Sequence, residues 1–92
     1  MNKPIRNYEG LYEIDELGNV YSLKRHKIMS PTIINSGYKA VVLSKDKHKA
    51  GYLVHRLVAE AFLPNPDNLP CVNHKDEDKL NNSVNNLEWC TY

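Results

Sequence analysis

A chain of 92 residues amounts to one small domain, too short for an enzyme with separate cofactor and substrate domains. With 41% hydrophobic and 25% charged residues it has the make-up of a folded globular protein, which sets aside a disordered tail and a coiled coil. Its net charge of +1 hides an uneven distribution: residues 24–56 carry +7, against −2 over 1–23 and −4 over 57–92.

Met1 to Arg6 lead into Tyr8 and Glu9, not into an apolar signal-peptide core, and no run approaches the roughly 20 apolar residues of a membrane span. The expectation is a cytoplasmic protein with no membrane partner. Leu11-Tyr12-Glu13-Ile14 and Val20-Tyr21-Ser22-Leu23, separated by Asp15 to Asn19 with its glycine, read as a hairpin in which Tyr12 and Ile14 share a face. Lys24 to Lys27 is a basic connection, Ile28-Met29 a short strand, and Pro31 its end. After the turn Asn35-Ser36-Gly37, Tyr38 to Leu43 is the strongest strand candidate; Lys45 to Lys49 reads as a loop tip and Gly51 to Val54 as the returning strand.

At Val54 the period changes. Val54, Leu57, Val58, Ala61 and Phe62 fall at helical spacing, so Val54 to Leu63 is an amphipathic helix, stopped by Pro64-Asn65-Pro66. Cys71 to His74 reads as a short strand, Lys75 to Asn82 as a polar loop, and Leu87 to Thr91 as a second short strand or the run-in to a helix. Two cysteines, Cys71 and Cys90, are too few for a disulfide-stapled secreted scaffold; both read as reduced core residues, as do Phe62 and Trp89. There is no internal repeat and no low-complexity segment.

Asn73-His74-Lys75-Asp76, followed by Asn81-Asn82 and Asn86-Leu87-Glu88-Trp89, resembles the HNH, or ββα-metal, nucleases, in particular the phage and intron-encoded homing endonucleases. Upstream, Tyr8 to Ile14 with Leu17 to Leu23 is similar to the N-terminal modular motif that accompanies those nucleases, and Val54 to Pro66 to their central helix. The three motifs stand in the family's order and together span residues 8–92. The resemblance implies an α+β fold: a small antiparallel sheet of short strands, a central helix, then a ββα-metal motif. Two modules are expected, a β-rich one over 1–53, basic from residue 24, and the nuclease motif over 54–92.

Phosphodiester hydrolysis needs an activated water, a cation for the charge on phosphorane and leaving oxygen, and a scaffold that holds both. A neutral imidazole is the natural base near pH 7, which points to His74, and the side-chain oxygen of Asn73 suits a hard cation such as Mg²⁺ or Mn²⁺. Neighbours on a strand point to opposite faces, so the two serve one site only where the strand ends and the chain turns. By resemblance His74 is the general base, Asn73 a metal ligand where many relatives have Asp, and Asn86 the asparagine tying the loop to the strand. Taken singly these are ordinary surface and turn residues; the ordered set is what points to a site. Asp76 and Asp78 read as loop residues and His55 as a packing or capping residue at the helix start.

The basic block supplies the expected double-stranded DNA contacts: Lys24, Arg25, Lys27, Lys39, Lys45, Lys47, Lys49 and Arg56. The resemblance implies a metal-dependent endonuclease of the phage or prophage type, acting in a bacterial host cell without a small-molecule cofactor and leaving 5′-phosphate and 3′-hydroxyl ends. In the family a helix follows the segment matching Trp89 to Tyr92 and supplies a last ligand; the sequence stops before it, so weak or absent cleavage is expected unless another group completes the site. A DNA-binding module without catalysis is the second reading. A zinc-stabilised domain using Cys71, Cys90 and histidines is the third, and paired CxxC spacing is missing for it.

Overall fold

The structure, a computed structural model, describes residues 2–91; Met1 and Tyr92, the outer ends of the two expected modules, lie outside the described residues. The first hairpin pairs β2 (Tyr12–Ile14) with β3 (Val20–Ser22) in the register Tyr12↔Ser22, Ile14↔Val20. Alternation puts all four of those side chains inside. The turn between the strands is organised by Asp15. Its Oδ1 accepts from the amides of Leu17 and Asn19, each at 2.9 Å, and its Oδ2 from Asn19 Nδ2 and the Tyr21 hydroxyl, each at 3.0 Å. Burial alone would raise the Asp15 carboxyl, but these donors outweigh it and hold the group below its ordinary 3.8. Gly18 takes the left-handed φ of +90° that the turn requires.

Two strands flank the hairpin, β1 (Lys3–Pro4) on β2 and β4 (Lys27–Ile28) on β3, giving an antiparallel sheet in the order β1-β2-β3-β4. The second sheet is β5-β6-β7, with β5 at Thr32–Ile33, β6 at Lys39–Lys45 and β7 at His48–Leu53. Sequence patterning misses β1 and β5, two-residue strands too short to show a period. It also makes the β6–β7 tip too long. Only Asp46 and Lys47 lie outside the strands, both at positive φ (53° and 67°), the conformation of a tight two-residue hairpin turn, and Lys45 pairs with His48.

The single described helix, α1 (Val54–Phe62), starts directly from β7 and buries Val54, His55, Leu57, Val58 and Ala59. Beyond it a third antiparallel pair joins β8 (Cys71–His74) to β9 (Leu87–Cys90), with a 3₁₀ turn, Val84–Asn86, leading into β9. No helix follows β9 among the described residues. One hydrophobic cluster runs through everything: Ile5 and Tyr8 from the connection between β1 and β2, Tyr12, Ile14 and Val20 from the first sheet, Val41 and Leu43 from the second, Val54, Leu57 and Val58 from α1, and Leu87 from β9. The two longer sheets are also joined by a hydrogen bond from the Ser44 amide to the Tyr12 hydroxyl at 3.1 Å. Cys71 and Cys90 face each other across β8–β9 as free thiols, half-buried and not in the core as expected; Phe62 is half-buried at its margin, and Trp89 is half-buried with its indole Nε1 donating to the Leu63 carbonyl at 3.1 Å. No described helix is long and apolar enough to cross a membrane.

Candidate active site

His74 is the last residue of β8, and the chain turns at Lys75 and Asp76 directly after it. It is 5% exposed while its neighbour Asn73 is exposed, as strand alternation demands. Three groups define its surroundings. The His55 ring lies 4.9 Å away between centroids, the Tyr38 ring stacks at 5.7 Å, and ring nitrogen Nε2 meets Asn82 Oδ1 at 2.8 Å. Tyr38 also stacks on His55 at 4.9 Å, so the first residue before β6, the start of α1 and the end of β8 form one aromatic group. Lys79 Nζ stands 5.0 Å over the Tyr38 ring and donates to the Ser36 carbonyl at 2.8 Å, bringing the polar loop over this group.

The loop from Lys75 to Asn86 is tied at its base by Asn86. Asn86 Oδ1 accepts from the Asp76 amide at 3.1 Å, Nδ2 donates to Asp76 Oδ1 and to the Asn81 carbonyl at 2.9 Å each, and the Asn86 carbonyl accepts from the Lys75 amide at 2.8 Å. Asn81 Nδ2 adds a bond to Asp76 Oδ2 at 2.9 Å. Hydrogen bonds from Asn81, the Asp78 amide and Asn86 hold the Asp76 carboxyl below its ordinary 3.8. The loop is therefore braced by its own acids and amides.

Asn73 faces Glu88 across the β8–β9 ladder, and its Nδ2 donates to Glu88 Oε1 at 3.0 Å. That bond uses the amide nitrogen and does not draw on Asn73 Oδ1. An amide oxygen with a carboxylate is a hard donor pair that fits Mg²⁺ or Mn²⁺, ions that retain several waters and need few protein ligands. Among the described residues no three or more His, Cys, Asp or Glu side chains gather as a metal cluster, so the soft donor set of a zinc centre does not form there.

Of the basic residues, Lys24, Arg25, Lys45 and Lys47 border one surface cavity of about 530 Å³ between the β3–β4 turn and the β6–β7 tip. Lys45 is partly engaged, donating to the Asn7 carbonyl at 2.7 Å. Lys27 on β4 and Lys49 on β7 are exposed; Lys39 at the start of β6 is half-buried and lines a different cavity, shared with Gly18 and Asn82. Arg56 stands apart from the others. Its guanidinium donates to the Pro70 carbonyl at 2.9 Å, lies 3.9 Å from Glu60 and stacks at 5.8 Å on the Trp89 ring, so it braces α1 against β9.

Sequence reasoning has Asn82 and Glu88 within the motif and Tyr38 as an aromatic of the basic block, gives none of them a place beside His74 or Asn73, and misses the depth at which His55 is set. His55 is 5% exposed, and its Nδ1 is, among the described residues, a buried side-chain nitrogen without a partner. Desolvation, with His74 and Arg56 nearby, pushes its imidazole down to about 4. Only the helical spacing that places residue 55 at the inner start of α1 hints at this in the sequence.

Two family models together match residues 3–92. The NUMOD4 motif matches residues 3–58 and the HNH endonuclease family residues 52–92. The DNA endonuclease I-HmuI of Bacillus phage SP01 is 39% identical over 97% of this chain and 51% of its own length. An uncharacterized HNH endonuclease of Acanthamoeba polyphaga mimivirus is 41% identical over 96% of this chain and 26% of its own. A solved structure described as DNA binding and cleavage by the HNH homing endonuclease I-HmuI superposes with a TM-score of 0.92, covering 99% of this chain and 52% of that one, at 39% identity. The chain thus spans about half or less of the length of these relatives.

Proposed function

The chain belongs to the HNH endonucleases that carry an N-terminal NUMOD4 motif, and from that membership we propose that it grips double-stranded DNA and hydrolyses its phosphodiester bonds as part of a homing-type nuclease. The observation that carries the reading is His74 heading a loop braced by Asn86 where β8 ends and the chain turns; the Asn73–Glu88 pair stands on the exposed face of the same strand end. His74 takes the proton of the attacking water, and Asn86 keeps the backbone turn after β8 in place so that the imidazole holds its aim. Asn73 and Glu88 are the residues to hold Mg²⁺ or Mn²⁺, an ion that would offset the charge developing on the phosphorane and the departing 3′ oxygen. Lys24, Arg25, Lys27, Lys45, Lys47 and Lys49 neutralise backbone phosphates from the module over 1–53, and the module over 54–92 carries the chemistry. The phage origin of I-HmuI supports a bacterial cytoplasm as the place of action.

Supercoiled plasmid nicking in Mg²⁺ or Mn²⁺ tests this. His74→Ala should slow nicking by about 100-fold or more, the scale of general base catalysis. Nicking by His74→Ala at the parent rate would sink the assignment of the base. A binding module without catalysis has one observation in its favour: Asn73 offers an amide oxygen, a weaker metal ligand than a carboxylate. Plasmid that is bound but never nicked, by either protein, would establish that second reading.

A further inference from the structure

We propose that Asn82 is the positioning residue for His74, and that it fixes which ring nitrogen is free to take a proton. The inference rests on the reading of His74 as general base. Asn82 Oδ1 lies 2.8 Å from His74 Nε2, and both residues are buried, at 4% and 5% exposure. An amide oxygen only accepts, so in the neutral ring the hydrogen sits on Nε2. Nδ1 is then left with the lone pair. A histidine that acts as a base needs this partition, because the opposite tautomer presents an N–H where the water proton must be received.

Asn82 is itself fixed from the other end of the chain. Gly18, at φ +90°, approaches it so closely that a Cβ there would lie 2.9 Å from Asn82 Cβ and 3.3 Å from its carbonyl oxygen. Two residues further along, the Val84 amide donates to the Glu16 carbonyl at 2.7 Å. The β2–β3 turn, locked by Asp15, thus clamps the segment that carries Asn82 against the N-terminal module. Tyr38 and His55 pack against His74 through their rings and leave Asn82 as the hydrogen-bond partner of its imidazole among the described contacts.

A bland alternative is that Asn82 merely fills space beside Gly18, in which case the tautomer would not depend on it. Long-range ¹H–¹⁵N correlation spectra of the neutral His74 ring in metal-free buffer separate the two. Wild type should show Nε2 in the pyrrole-type range and Nδ1 in the pyridine-type range. Asn82→Leu, which keeps the bulk and removes the acceptor, should mix the tautomers, while Asn82→Asp, which keeps the acceptor, should preserve them. In plasmid nicking, Asn82→Leu should fall by about 10–100-fold with Asn82→Asp well above it. A hydrogen on Nδ1 in the wild type overturns the proposal without recourse to any variant, and so does an unchanged tautomer in a folded Asn82→Leu. Because the spectra need no cleavage, the assignment of Asn82 stands or falls separately from His74 being the base, which His74→Ala decides.

Discussion

His55 shows how a single residue is set by surroundings that no local pattern reveals. Its imidazole is buried between Tyr38 and His74, Nδ1 lacks a partner among the described residues, and desolvation first, then His74 and Arg56, push it down from 6.5 to about 4. Between those two pH values the unfolded chain binds a proton that the folded chain refuses. Stability is therefore full above about pH 6.5 and declines as pH falls toward 4. The loss by pH 5 is on the order of 2 kcal/mol. Urea unfolding at pH 7 and pH 5 checks it: His55→Phe, which removes the unpaired nitrogen and keeps a ring, should be at least as stable as wild type at pH 7 and lose less on acidification. His74 was legible in the sequence because Asn73-His74-Lys75-Asp76 and the asparagines behind it follow an order. Asn82 and His55 were not, since what matters in them is contact with Gly18 and Tyr38, far away along the chain.

Among the elements, those with a full period were readable: the hairpin of β2 and β3, the β6–β7 pair, the apolar stripe of α1 and the short β8 and β9. The tip of β6–β7 was not, because Asp46 and Lys47 adopt a turn usually built from asparagine and glycine, and the charges around them look like a loop. The cysteines misled for a related reason. Strand register, unknown from sequence, places Cys71 opposite Cys90 at the half-covered end of the ladder and away from the core. The β2–β3 turn gives the sharpest test at this scale. Gly18→Ala puts a side chain at φ +90° and within 2.9 Å of Asn82 Cβ, so strain and overpacking act together. The expected cost is about 3 kcal/mol, read as a lower urea midpoint with an unchanged slope. A midpoint equal to wild type would show that the turn and the Asn82 segment are not in tight contact.

At the scale of the whole molecule, the net charge of +1 is a poor guide, for acidic ends cancel a basic middle that the fold gathers around the β3–β4 turn and the β6–β7 tip. Binding to a non-specific duplex should weaken steeply with salt. Replacing Lys24, Arg25 and Lys47 by alanine should lower the slope of log K against log salt by roughly 2–3, about 0.9 per lost phosphate contact, while Arg56→Ala should act mainly on stability. An unchanged slope would move the DNA to another face. Arg56 was grouped with the phosphate contacts by charge alone, and its bonds to Pro70 and Glu60 and its stacking on Trp89 belong to packing that charge counting does not see.

The docking of the first turn on the segment before β9 also sets an order of events during synthesis. Gly18 leaves the ribosome 64 residues ahead of Asn82, which at about 5–20 residues per second is several seconds. Through that interval the N-terminal hairpin has all its own strands, while the histidine and its asparagine do not yet exist together. Closing the loop over so long a separation is among the slow steps of folding. In a nascent chain of this kind His74 therefore takes its hydrogen bond to Asn82 only after the first turn and the segment before β9 have met, so that pairing is a reading of completed folding.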